Sequence, residues 1–181
     1  MKEKLKPIQQ EVELPEGVEV EIEGNKVKFR KQDKEVEKVL PGVLIEKKEN
    51  KLIVRTTRST KREVKQVNTI LSHIRNLILG LEEDFFYKLQ ICSVHFPMNI
   101  SVKENFVIVK NFLGETKERK AKILEGVEVK IDKDIIIVSS ANKELAGQTA
   151  ANIEKTTRTK TKDRRIFQDG IFMIERAGKK I

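Results

Sequence analysis

The sequence predicts an α+β protein: two tandem copies of a small antiparallel β-sheet packed on one long α-helix, plus a basic C-terminal extension. Three observations predict it. Short stretches alternate apolar with polar residues, the period of half-buried strands. Twice such stretches are followed by apolar residues spaced three or four apart, the period of a helix lying on a core. The whole order of events then recurs about eighty residues later, which two copies of one unit explain and a solenoid does not.

In the first copy, residues 1–13 mix charges with Ile8 and Val12, a fraying start before a short strand. Pro15-Glu16-Gly17 is a turn. Val18, Val20 and Ile22 alternate with Glu19, Glu21 and Glu23, and Gly24-Asn25 turns the chain back into Val27-Lys28-Phe29. Arg30 to Lys38 reads as a charged excursion. A second hairpin joins Val43–Ile45 to Leu52–Val54 through Glu49-Asn50. Thr60 with Glu63 is a capping box, and Val64, Val67, Leu71, Ile74, Ile78 and Leu81 carry the helix after it to Gly80 and beyond.

The second copy opens with a strand over Tyr87 to Val94. Phe96-Pro97 echoes Leu14-Pro15, and Ile100 and Val102 alternate as Val18 and Val20 do. Leu124-Glu125-Gly126-Val127 repeats Leu40-Pro41-Gly42-Val43 at an offset of 84, and Ile136-Ile137-Val138 repeats Leu52-Ile53-Val54 at the same offset. The copies are therefore expected at residues 1–82 and 83–181, with the join near Gly80–Asp84. Residues 156–181 form the extension, in which Asp169-Gly170 marks a turn, Ile171–Ile174 a short strand, and Ala177–Ile181 a fraying end.

Charge narrows the function. The formal net charge is +9. Residues 55–65 set Arg55, Arg58, Lys61, Arg62 and Lys65 against Glu63, and residues 155–165 set six cations against Asp163. These two segments, at +4 and +5, hold all of the excess. Such clusters at helix ends point to a polyanion rather than to solvation.

Other chemistry finds no seat. Cys92 is the one cysteine, so no internal disulfide forms, and a reducing cytosol is expected. No apolar run approaches the ~20 residues that cross a bilayer. Cys92-x-x-His95 has the spacing of half a zinc site but no other Cys or paired His to complete it, and His73 sits inside the first helix. No phosphate-cradling glycine loop is present. The expectation is no enzyme, no cofactor, no metal, no membrane and no small-molecule substrate. A hydrolase built on Cys92 and His95 is the remaining enzymatic alternative, which replacing Cys92 by Ala would test.

The stretch Ala146 to Phe167 says most. Leu145, Ala146, Thr149, Ala150 and Ile153 give a narrow helix face able to lie close against a sheet. From Lys155 to Arg165 the pattern changes to cations interleaved with Thr156, Thr157, Thr159 and Thr161, whose hydroxyls suit phosphate oxygens. Aromatic content is only 5%, without Trp, so a base-stacking sheet is not expected, and Phe29, Phe106 and Phe112 read as core or filler. Cations in irregular segments at helix ends suit folded RNA recognised by shape.

Gly147-Gln148-Thr149-Ala150-Ala151-Asn152-Ile153-Glu154-Lys155-Thr156-Thr157-Arg158, followed by Lys162-Asp163-Arg164-Arg165-Ile166-Phe167-Gln168-Asp169-Gly170-Ile171, closely resembles the C-terminal part of the L-six family of large-subunit ribosomal proteins. The form is that of archaea and eukaryotes, where the eukaryotic member is ribosomal protein L-nine. Lys-Asp-Arg-Arg-Ile-Phe-Gln-Asp-Gly-Ile stands where the bacterial form has Tyr-Lys-Gly-Lys-Gly-Ile. The tandem architecture is also that family's, so the resemblance spans nearly the whole chain. It implies a cytoplasmic, structural part of the large ribosomal subunit, binding large-subunit rRNA mainly through its second domain. It further implies a place near the sarcin–ricin loop, beside neighbouring ribosomal proteins and docking translation factors. On the matching positions it implies rRNA contacts at Gln148, Lys155, Arg158, Lys160, Lys162, Arg164 and Arg165, with Arg55, Arg58, Lys61 and Arg62 as a secondary set. A freestanding nucleic-acid-binding regulator is the alternative.

Overall fold

Among the described residues the first copy builds six strands and a helix: β1 (Gln9–Glu13), β2 (Glu19–Glu23), β3 (Lys26–Lys31), β4 (Lys34–Val39), β5 (Leu44–Lys48), β6 (Lys51–Arg55) and α1 (Lys61–Glu82). The structure, a computed structural model, describes residues 8–32, 34–56, 60–159 and 162–181. It divides into two units, Met1–Glu83 and Asp84–Ile181.

In the first unit β2, β3 and β4 form an antiparallel meander, while β1 joins the β5–β6 hairpin in the order β1-β6-β5. The strands of this copy thus divide between two three-stranded sheets instead of forming one. Alternation decides which side chains turn inward: Val20, Val27, Phe29 and Val36 from one sheet, Val12, Leu52 and Val54 from the other. Helix α1 packs on β1, β3, β4 and β6 and buries Val67, Ile70, Leu71, Ile74, Leu77, Ile78 and Leu81. Each fully buried side chain of this size stabilises by about 1.5–3 kcal/mol. The helix starts where the capping box places it: the Thr60 amide donates to the Glu63 carboxylate at 2.9 Å and the Thr60 hydroxyl donates to it as well.

The charged excursion Arg30 to Lys38 is in fact the end of β3 and nearly all of β4. Only Val36 reaches the core from β4's middle, so the apolar signal is one residue deep. The outward residues pair across the strands, Lys26 with Glu37 at 2.7 Å and Arg30 with Glu35 at 3.0 Å. These exposed pairs fix register more than they add stability.

The second unit repeats the plan with β7 (Phe85–Cys92), β8 (Asn99–Lys103), β9 (Phe106–Lys110), β10 (Arg119–Lys122), β11 (Glu128–Asp132), β12 (Ile135–Ser140) and α2 (Lys143–Thr156). A 3-10 turn, Phe112–Gly114, lies between β9 and β10. The β8-β9-β10 sheet corresponds to β2-β3-β4, and the run β11-β12-β7 corresponds to β5-β6-β1. Gly42 and Gly126, the shared glycines of the repeated motif, adopt φ of +80° and +76°. That left-handed turn before β5 and β11 explains why both copies keep a glycine there.

Where β1 ends its sheet, its counterpart β7 does not. β13 (Gly170–Arg176) lies antiparallel on β7's other edge, with a register shift between Met173 and Glu175, and β14 (Lys179–Lys180) pairs with β13. The last part of the expected extension is therefore sheet. The strand expected at Ile171–Ile174 lies within β13, whose Ile171 enters a core containing Leu89, Ile136 and Ile153, and part of the expected fraying end pairs too, Lys179 and Lys180 against Arg176 and Glu175. Phe112 is core, whereas Phe106 is exposed on β9.

Helix α2 lies close. Its buried residues are Ala146, Thr149, Ala150 and Ile153, and the buried Thr149 hydroxyl accepts from the Leu124 amide at 3.4 Å. A Cβ on Gly147 would come within 2.9 Å of the Tyr87 hydroxyl oxygen. Tyr87 is buried and its hydroxyl donates to the Lys143 carbonyl. The glycine therefore admits a tyrosine against the helix backbone, a gain in packing that offsets roughly 1 kcal/mol of lost helix propensity.

Candidate nucleic-acid interface

The C-terminal end of α2 is anchored from three directions. The Thr157 hydroxyl accepts from the Ile171 amide at 2.9 Å and donates to the Glu154 carbonyl at 3.2 Å. The Glu154 carboxylate accepts from the Met173 amide at 3.2 Å. The bonds from Ile171 and Met173 clip β13 to the helix. Arg119 Nη1 donates to the Thr156 carbonyl at 2.7 Å, capping the carbonyl end where the helix dipole favours a cation. The same guanidinium is held by Glu115 through two bonds at 2.6 and 2.8 Å and lies 4.4 Å from the Phe112 ring centroid.

A second clamp is Asp169. Its buried carboxylate accepts from the Val94 amide at 2.7 Å, the His95 amide at 2.9 Å and His95 Nδ1 at 2.5 Å. Burial alone would push its pKa up. The amide and ring of His95 and the amide of Val94 outweigh burial and hold it at about 2, against an ordinary 3.8. The segment following β7 is thereby tied to the start of β13. Phe167 stacks against the His95 ring at 5.0 Å and carries Lys162 Nζ 4.6 Å from its centroid.

These anchors enclose an open pocket of about 660 Å³. Cys92 and Val94 line it from the end of β7, Phe167 from the connecting segment, and Ile171 and Phe172 from β13. Lys155, Arg158 and Arg164 stand around it. All three are exposed, and among the described residues none has an acidic ion-pair partner.

The remaining sequence-expected residues are placed less uniformly. Gln148 is exposed on α2 and donates to Asn152 at 3.0 Å, two turns before Lys155 on the same side. Arg165 is 90% exposed and paired with Asp163 at 2.8 Å, away from the pocket lining. Lys160 lies outside the described residues, as do Thr161 and Arg58. In the first unit Arg55 is half-buried, facing Glu46 at 3.5 Å, with its Nε buried and unpartnered among described atoms. Lys61 and Arg62 are exposed on the first turn of α1, where the dipole opposes positive charge.

Two of the threonines expected to reach phosphate are otherwise engaged: Thr157 as above, and Thr156, which donates to the Asn152 carbonyl at 2.8 Å. Sequence reading missed Arg119 and Asp169 as organisers. Arg119 pairs locally with Glu115, but nothing local announces its capping role, because the helix-end carbonyl it reaches lies 37 residues away. Asp169 was legible only as a turn residue. Among the described residues no group of three or more His, Cys, Asp and Glu side chains is placed to hold a metal ion, and His95 is committed to Asp169.

Residues 96–170 match the family described as Ribosomal protein L6, a span inside the second unit that runs from the Phe96 loop to the first residue of β13. The chain is 47% identical over 174 residues to the Large ribosomal subunit protein uL6 of Methanococcus vannielii, covering 95% of this chain and 96% of that one. It is 42% identical over 175 residues to the protein of the same name from Methanosarcina mazei, covering 96% and 99%. Identity at that level over both units, with the pocket-forming stretch largely inside the matched family span, means that the chain belongs to the ribosomal protein L6 family.

Proposed function

We propose that the chain is a structural, non-catalytic constituent of the large ribosomal subunit that binds large-subunit rRNA. The second unit, residues 84–181, carries the main contact through the end of α2 and the basic segment after it. The first unit, residues 1–83, carries the secondary one. The observation that bears most weight is the gathering of Lys155, Arg158 and Arg164 around one anchored pocket, in a chain similar over nearly its full length to proteins named for the large subunit.

Phosphates are the fitting partner, since exposed cations with no acidic partner among the described residues displace counterions from a polyanion and position it without reading sequence. Gln148, Lys160, Lys162 and Arg165 extend the contact on either side. Arg55, Arg58, Lys61 and Arg62 form the secondary patch. Lys61 and Arg62 destabilise the first turn of α1, an effect that a phosphate partner would reverse. The family resemblance supports a position near the sarcin–ricin loop and the translation-factor docking region, among other large-subunit proteins of the cytoplasmic ribosome.

The protein is expected to co-sediment with large subunits at low salt and to leave them only in high salt. Equal affinity for arbitrary duplexes and for its rRNA fragment would favour the freestanding regulator instead.

A further inference from the structure

We propose that the pocket beside the end of α2 receives one unpaired nucleotide turned out of the rRNA stack, a site that rests on the rRNA-binding reading above. Phosphates alone need cations on an open surface. They have no use for a hollow lined with hydrocarbon, and this one presents Val94, Phe167 and Phe172 on its wall. Val94 is 67% exposed, an isopropyl group left in water beside a cationic rim. Covering it with the face of a base gains apolar burial, while Lys155, Arg158 and Arg164 take the phosphates on either side of the turned-out nucleotide.

Size and preparation agree. The volume of about 660 Å³ holds a base with its sugar and phosphate. The walls are set before RNA arrives: Asp169 holds the backbone of Val94, and Thr157 and Glu154 hold β13. Phe167 is flanked by His95 and Lys162, so it stands as a fixed wall and not a swinging one. The three cations favour a nucleotide over an aromatic side chain of a neighbouring protein.

The test uses the full chain and RNA hairpins that differ only in one bulged nucleotide, each of the four bases in turn, with a fully paired parent. At least one bulged hairpin is expected to bind about tenfold or more tightly than the parent, the scale of one stacked base. A 2-aminopurine at the bulge should change emission on binding. Val94→Asn should bring that affinity down to the parent's level and leave the parent's unchanged. Tight but equal binding of all hairpins overturns the pocket assignment and leaves the rRNA reading standing. Equal weakening of bulged and paired hairpins by Val94→Asn also overturns it. Displacement of the bulge signal by N-acetylphenylalaninamide, with no displacement by nucleoside monophosphates, assigns the pocket to a protein side chain. Failure to bind any hairpin at low salt overturns both readings.

Discussion

Replacing Lys155, Arg158 and Arg164 together by glutamine is expected to lower affinity for large-subunit rRNA about a hundredfold near physiological salt. The slope of log K against log salt should fall by roughly 2–3, at ~0.7–0.9 for each phosphate no longer neutralised. The three residues are singled out by placement, because they surround one pocket and have no acidic partner among the described residues. Their long side chains are exposed and contribute nothing to the core, so the variant should fold as the parent does. Arg165→Gln is the matched control. Its guanidinium is already shared with Asp163 and lies outside the pocket lining, so its removal should change affinity several-fold less than that of any pocket cation. Filter binding across a salt series measures both, and an unchanged slope in the triple variant would count against the assignment.

The second large effect is on stability. Asp169→Asn is expected to destabilise the second unit by about 2–4 kcal/mol, because the amides of Val94 and His95 lose a charged acceptor in a buried place. The difference should depend on pH in one direction only. The carboxyl is held at about 2 in the folded chain against an ordinary 3.8. Its stabilisation is therefore complete above the ordinary value and fades as pH falls through the folded one. Urea unfolding of both proteins between about pH 2 and 7 checks this. The gap should be widest near neutrality and should close towards the acid end. A constant gap across that range would mean that Asp169 acts through shape and not charge.

Much of the architecture was legible because period and punctuation agree. The α1 stripe, the Thr60–Glu63 cap and the repeated Leu-x-Gly-Val turn each carry a local physical signal, and the fold uses all three. What stayed hidden was non-local. β4 shows a single buried valine between charges, so its strand nature depends on pairing with β3. The strand over Ile171–Ile174 was legible from its apolar run, but its partner was not, because nothing within residues 170–180 announces that β7 has a free edge to be filled.

The candidate site was legible in the same uneven way. Cations after Lys155 stand out by type alone, but which of them share a surface depends on Thr157, Glu154 and Asp169 holding β13 and the β7 end in place. By composition Thr156 and Thr157 read as phosphate ligands. Their hydroxyls instead complete the backbone bonds of a helix end, a competition that Ser and Thr near a helix terminus commonly win.

The most direct test of the central claim is to place a photoreactive side chain at position 158 in protein assembled into large subunits, and to identify what it captures. Capture of large-subunit rRNA is the predicted result. Capture of protein alone, or of nothing, with rRNA captured only from positions remote from the end of α2, would contradict it.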